Sequence, residues 1–474
     1  MKSIGRAFLL IAVAAVPAAA QPQPNTNPPS DTPPTDSPTW LPGVEDVTGN
    51  IPEPPSNVVL TLDKAVQLAL QVQPSLRQAR ALTEAAYGRA DQARVAEHPT
   101  VALSASIGAG SSRQGVCTNP ATGIPDGMAQ CGGFFTGSAA FNVGASASYR
   151  IYDFGQTAAN VRAAELTGDA TAATIATDTL DVRKAVESAY LQEVADLRLV
   201  KVAEATVKSE AGHLDQAKRF VAAQAHDPIE VAQAQSRFAN AKSALAQAQS
   251  NEAIALATLR FAIGWLDPTR LPVVDPNWPE PPTQDPPALS TLVQAARKNR
   301  PEIVQFDKQV LAAEATVDAA HAERHPVLSA AAGILWSPVS GDYDPQPTWS
   351  AALTLSWNLW DGGKASADAR VAKANVTANE AERDALLVQL TSDLDSARSQ
   401  IVANRANVQA SNEAVVAAQV QLKLSDARYA NGLGSQIELA DAQTAVTTAE
   451  GNLVTAQFQL ANAWAQLKRA IGHV

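Results

Sequence analysis

The chain is poor in most of what builds a soluble catalyst. It holds two cysteines, two methionines and 5% aromatic residues in 474 positions. Beyond its first residues it has no run of about 20 apolar residues, the length a helix needs to cross hydrocarbon. Any crossing of a membrane must therefore use strands. Basic charge is in deficit: 36 Lys and Arg stand against 47 Asp and Glu, a net charge of -11. Nucleic acid is a poor partner for such a chain, because phosphate binding needs a basic face. No nucleophile–histidine–acid set, phosphate loop or cysteine metal site is present. The chain reads as no enzyme and calls for no cofactor. His321 and His325 have a spacing that can bind a metal. The glutamate that directly follows the first histidine in zinc peptidases is replaced by Ala322, and Pro326 ends the helix, so no metal site is expected.

Cys117 and Cys131 share one Gly-rich loop. An exported chain meets oxidising conditions, which favours a local disulfide over two free thiols. Closing a loop of about 15 residues is worth about 3 kcal/mol. Export is expected from the N-terminus. Lys2 and Arg6 precede the apolar run Phe8 to Val16, and Ala18, Ala19 and Ala20 offer small residues before Gln21. Residues 1–20 are therefore expected to be a signal peptide. Pro17 ends the run too early for an anchor, and no cysteine follows for lipid attachment. Residues 21–57 are a Pro-rich tether, and residues 266–288 a second Pro-rich linker.

What is abundant is repetition. Residues 62–101 recur at 289–328 without a gap. Gln73-Pro74 returns as Arg300-Pro301, and Glu97-His98-Pro99 as Arg324-His325-Pro326. Further on, Tyr149-Arg150-Ile151-Tyr152-Asp153-Phe154-Gly155 returns as Trp357-Asn358-Leu359-Trp360-Asp361-Gly362-Gly363, and Ile229-Glu230 as Ile437-Glu438. Two structural repeats are expected, 58–265 and 289–474, each reading helix, strand, strand, very long helix, helix.

Strands are expected at about 100–110, 140–152, 327–336 and 348–360 from alternation. Val101, Leu103, Ala105 and Ile107 point one way, and Ser104, Ser106 and Gly108 the other. Phe141, Val143, Ala145, Ala147, Tyr149 and Ile151 share a face, as do Trp349, Ala351, Leu353, Leu355, Trp357 and Leu359. Strands apolar on one side and polar on the other are the signature of a membrane β-barrel. The competing reading is a sandwich strand with its apolar side inward. The aromatic pairs Phe141/Tyr149 and Trp349/Trp357 are eight residues apart. That is about 26 Å, close to the roughly 25 Å band that aromatic girdles bracket.

The first helix is expected to open at Thr61 or Asp63 and to run to about Glu97, where His98-Pro99 stops it. The helix from about 156 to 221 has no proline and would span about 100 Å. Asp153 and Asp361 precede the long helices as caps. Residues 228–264 and 435–471 return as shorter helices, the latter opened by a Ser435/Glu438 capping box. Four strands cannot close a barrel, and lipid does not tolerate open edges. Several chains must share one wall; three would give twelve strands, two eight.

The duplicated plan, the Leu359-Trp360-Asp361-Gly362-Gly363 junction, the Arg428-Tyr429-Ala430-Asn431-Gly432 tip and the Glu438-Leu439-Ala440-Asp441-Ala442-Gln443 segment resemble TolC-type outer-membrane efflux proteins over about residues 58–472. The resemblance implies a mixed α and membrane-β fold: a homotrimeric 12-stranded β-barrel in outer-membrane lipid, continued by a periplasmic α-helical barrel. It implies a passive exit duct of an efflux or type I secretion system, docked to a periplasmic adaptor and an inner-membrane transporter. It also implies that Glu438 and Asp441 form carboxylate rings at a periplasmic gate, that Tyr429 helps to latch it, and that Gly432, Leu433 and Gly434 form an adaptor-contact tip. Gly434 stands where some relatives carry a basic latch residue. The alternative is a periplasmic adaptor, for which the compact β domains are missing.

Overall fold

A computed structural model describes residues 59–112, 136–224, 227–265, 273–278, 285–338 and 345–472. The expected signal peptide, the tether, Cys117 and Cys131, and residues 225–226 of the first hairpin tip lie outside the described residues. The first repeat runs β1 (Val59–Leu60), α1 (Leu62–Val72), α2 (Pro74–Arg94), β2 (Thr100–Ser112), β3 (Thr136–Tyr152), α3 (Gln156–Ala222) and α4 (Ile229–Ile263). After β4 (Val273–Val274) the second runs α5 (Leu289–Asn299), α6 (Pro301–Ala322), β5 (Val327–Pro338), β6 (Pro345–Ser356), α7 (Lys364–Ala430) and α8 (Gln436–Ile471).

The opening helix of each repeat is two helices, where the sequence predicts one. Pro74 and Pro301 each sit at the start of a new helix, and the residues before them, Gln73 and Arg300, turn away from helical ψ, at 121° and 117°. A residue before proline is pushed out of the helical region, the same rule that ends the element at His98. Both breaks carry a further contact. Gln73 Nε2 donates to the Ala262 carbonyl at 2.9 Å, and Arg300 Nε to the Ala470 carbonyl at 3.0 Å. Gly264 and Gly472, which end α4 and α8 with φ of 82° and 76°, nestle against these breaks. A Cβ on Gly472 would lie 2.8 Å from the Asn299 carbonyl oxygen.

The strands form one antiparallel sheet in the order β2-β3-β5-β6. Its register gathers the apolar positions on one face: Leu103 opposes Ala145, Ala145 opposes Ile334, and Ile334 opposes Trp349. Among the described residues nothing covers that face. Leu103 is 79% exposed, Ile107 83% and Trp349 81%. A sandwich would bury these side chains under a second sheet, so the sandwich reading fails. A bulge between Arg150 and Tyr152 sets Tyr152 opposite Leu328, which breaks the expected alternation at Ile151. β6 ends at Ser356 instead of reaching about 360. Past it, Trp357 Nε1 donates to the Arg324 carbonyl at 3.1 Å, and the chain turns to bring Asp361 onto α7.

The two long helices have 67 residues each, about 100 Å of rise. Their starts are capped as expected. Asp153 Oδ2 accepts from the Thr157 amide at 2.8 Å, and Asp361 Oδ2 from the Ala365 amide at 2.8 Å. α3 packs against α2, α4, α6 and α8; α7 packs against α6 and α8. Two apolar clusters repeat the same construction. Val186, Val194 and Leu259 pack with α1 in the first repeat, and Leu394, Ile401 and Leu467 with α5 in the second. The halves are joined by ions as well as apolar contact. Arg469 of α8 binds Asp181 of α3 at 2.7 Å and Glu302 of α6 at 3.1 Å, and Glu302 takes buried Arg300 at 2.9 Å.

The linker between the repeats is ordered where it is described. β1 and β4 pair in parallel, Val59 with Val273 and Leu60 with Val274. Tyr190 of α3 donates its hydroxyl to the Leu60 carbonyl at 3.2 Å and ties this ribbon to the long helix. Among the described residues no helix is long and apolar enough to cross a membrane.

Candidate functional site

The ends of the two hairpins, α3–α4 and α7–α8, meet through side chains. Ser435 has extended φ/ψ, and its hydroxyl accepts from the Glu438 amide at 3.2 Å, which starts α8. The expected capping box is only half formed. The Glu438 carboxylate takes Arg428 Nε at 3.1 Å and does not reach back to Ser435. Arg428 also donates to the Leu433 carbonyl at 3.3 Å, so one guanidinium braces the tip loop from inside. Gly432 carries φ of 70°, which a β-carbon would oppose. Leu433 is 75% exposed at the apex. Gly434 is packed so closely that a Cβ would come within 3.2 Å of the Tyr429 amide nitrogen.

Tyr429 lies one residue deeper and is 1% exposed. Its ring meets Phe220 of α3 edge-on, with centroids 5.6 Å apart. Its hydroxyl donates to Glu230 Oε2 of α4 at 2.9 Å. Burial, and then this bond to a carboxylate, push the tyrosine well above its ordinary value, so it stays a donor in mildly alkaline solution. Gln436 Nε2 adds a second cross-hairpin bond, to the Glu230 carbonyl at 3.0 Å. Arg237 of α4 pairs with Glu210 of α3 at 3.6 Å and brings a positive charge into the same neighbourhood.

Of the residues singled out in the sequence, Tyr429 and Glu438 therefore sit within one tip but hold different partners. Asp441 is exposed one turn further along α8 and makes no ion pair among the described residues. Glu230 was not singled out, although its repeat mate Glu438 was. The duplication itself carried the signal, since Ile229-Glu230 matches Ile437-Glu438. The two glutamates do different work because their partners differ: Arg428 and Tyr429 in the second repeat correspond to Phe220 and Val221 in the first. The first tip also lacks the glycine. Gln224, the mate of Gly432, adopts φ of 58° in its place.

A chain-long hairpin stem on a sheet with a bare apolar face defines a class of membrane channel, and comparison with known proteins agrees. The sequence profile of outer membrane efflux proteins matches residues 65–265 and 292–473. Protein CyaE of Bordetella pertussis is 28% identical over 390 residues, spanning 81% of this chain and 78% of that protein. Solvent efflux pump outer membrane protein SrpC of Pseudomonas putida is 24% identical over 376 residues, 74% of each. The solved CmeC outer membrane channel of Campylobacter jejuni shares the fold, with a TM-score of 0.73 at 18% identity over 95% of this chain and 94% of that one. The open-state MtrE channel of Neisseria gonorrhoeae does so with a TM-score of 0.70 at 22% identity over 87% and 88%.

The chain belongs to the outer membrane efflux protein family. The resemblance to TolC-type proteins therefore holds: this is an efflux channel of the outer membrane, and the adaptor alternative falls away. Family and fold are those of channel proteins, not of enzymes.

Proposed function

We propose that three copies of this chain close a 12-stranded barrel in outer-membrane lipid and continue it as a helical tube, forming the passive exit duct of a tripartite efflux or secretion machine. The observation that carries this reading is the four-stranded sheet whose apolar face and two edge strands, β2 and β6, have no cover or partner strand among the described residues. Lipid satisfies the face, and only strands of another copy satisfy the edges. Within one chain, β3 joins β5 and α3 joins α6, linking the first repeat to the second. The same joint made between chains would pair β6 with β2, and α7 with α2, of the next copy. On this reading residues 58–265 and 289–474 are two like wall segments.

The joint can be tested at side-chain level. Arg469 of α8 meets Asp181 of α3 at 2.7 Å within the chain. Their repeat mates are Phe261 of α4 and Gln389 of α7. Phe261 is 82% exposed, as is 73% of Val388 beside Gln389, surfaces that a neighbouring copy would cover. Phe261→Cys with Gln389→Cys should crosslink purified protein into covalent trimers that reductant dissolves. Either single variant, which retains Cys117 and Cys131, is the control. Crosslinked dimers or tetramers as end products would replace the trimer; no crosslink would remove this joint.

At the tips, Tyr429 bound to Glu230 acts as the latch that holds the two hairpins together. Glu438 and Asp441 add acidic groups to the periplasmic entrance, and Gly432, Leu433 and Gly434 meet the adaptor. The cargo reaches the duct from an inner-membrane transporter, which supplies the energy. Solvent efflux, the role SrpC's name gives that relative, is one form of such traffic.

A further inference from the structure

Matching the repeats position by position exposes one buried site that duplication does not explain. In the second repeat, Ile401 of α7 and Leu460 of α8 belong to one apolar cluster. The matching positions in the first repeat are Glu193 of α3 and Glu252 of α4. Glu193 is 1% exposed, and its Oε2 has no hydrogen-bond partner. Glu252 lies within hydrogen-bonding reach of it across the hairpin. Asp196, buried and held by Gln192 Nε2 at 3.0 Å, adds a third acidic group from the same helix. Among the described residues, Glu252 from α4 and Asp196 from α3 are the charged groups that act on Glu193; no cation from α1, α8 or the β1–β4 ribbon offsets them. No group of three or more His, Cys, Asp or Glu among the described residues is placed to hold a metal ion, so a metal does not explain the cluster.

Two ionised carboxylates are acceptors only and cannot bond one another; a proton on Glu193 supplies the missing donor. Holding Glu193 as a buried ion beside the half-buried Glu252 would set like charges face to face in a poorly solvated hairpin. We propose that the buried Glu193 carboxyl keeps its proton inside the α3–α4 hairpin and donates it toward Glu252, and that the packing of this part of the stem loosens when the proton leaves. The site is built from one chain and does not depend on how copies assemble.

Burial, reinforced by Glu252 and Asp196, raises the Glu193 carboxyl to about 8 from the ordinary 4.5. The folded chain therefore keeps a proton that the unfolded chain gives up. The stability this confers is fully present below about 4.5, declines as pH rises, and is gone above about 8. Over that window one proton makes the unfolding constant grow about tenfold per pH unit.

The test uses full-length protein in detergent: wild type, Glu193→Gln, and Glu193→Ile with Glu252→Leu, which installs the second repeat's pair. Thermal unfolding of each is followed from acid to alkaline pH. The wild-type unfolding constant, divided by that of either variant, should climb toward tenfold per pH unit and level off near pH 8. Parallel curves overturn the proposal. Infrared titration of the wild type alone gives a second reading that needs no variant to fold. A protonated-carboxyl band present at neutral pH should fade in alkali, and its absence at neutral pH overturns the retained proton.

Discussion

Replacing Tyr429 with phenylalanine removes one oxygen from the hairpin tips and leaves the ring where it is. That ring is buried and edge-on to Phe220, so packing is kept while the bond to Glu230 is lost. The bond is 2.9 Å long, partly buried, and made to a carboxylate. Hydrogen bonds to charged groups contribute about 1.5–3 kcal/mol. If the bond exists only while the tips are together, its loss multiplies the ratio of open to closed channels by about 10 to 150. Glu230→Gln keeps an acceptor without the charge. It should give roughly half the free-energy change, since charge-assisted bonds are about twice as strong as neutral ones. Planar-bilayer recording of single channels reads the ratio directly. The raised tyrosine also sets a pH expectation. The latch should persist through mildly alkaline pH and fail only where the phenol ionises, above the ordinary tyrosine value of 10.0. Unchanged opening in Tyr429→Phe, with assembly as in the wild type, would refute the latch. A larger effect of Glu230→Gln than of Tyr429→Phe would shift the role to another partner of Glu230.

Other expectations follow from the joints of the fold. Gly472→Ala forces a side chain into positive φ and against the Asn299 backbone, so it should cost roughly 2–4 kcal/mol; Gly363→Ala meets open space and should cost only the roughly 1–2 kcal/mol of the backbone conformation. Thermal unfolding of the two variants compares them, and equal losses would contradict the contact. Arg300→Ala leaves Glu302 with Arg469 as its remaining cation and should destabilise by about 1.5–3 kcal/mol. Arg300→Gln copies the first repeat's Gln73, keeps the reach to the Ala470 carbonyl, and should cost visibly less in denaturant titration. Asp153→Ala removes the cap on α3 and should cost about 0.5–2 kcal/mol. Burial works against the Asp153 charge, but Thr157 and Arg150 outweigh it and hold the carboxyl below its ordinary 3.8. Its contribution is therefore present above about 3.8 and lost as pH falls below, and acid unfolding of wild type and variant should converge there.

The elements were legible because each obeys a local rule. Strand alternation, long proline-free stretches and the aspartates before α3 and α7 are properties of neighbours in sequence. The break at Gln73-Pro74 was equally legible, by the rule that stops the helix at His98, yet the apolar pattern running through it hides it. The β1–β4 ribbon was not legible. Two residues carry too little pattern, and its pairing joins positions more than two hundred residues apart. At the tips, Ser435 announced itself through spacing, whereas Tyr429's partner depends on how two hairpins meet. Only the repeat, which sets Glu230 beside Glu438, hinted at it. Glu193 was hidden for the opposite reason: a glutamate on a long helix ordinarily faces water, and only burial reveals that this one does not.

Gln224 and Gly432 occupy matching corners of unlike hairpins, one bent against the preference of its side chain and the other at ease. Around any ring of whole chains these corners alternate, so a visitor walking the rim meets two kinds of step in turn. A partner that recognises the glycine corner finds half as many berths as there are hairpins, and one that grips all of them must speak two dialects.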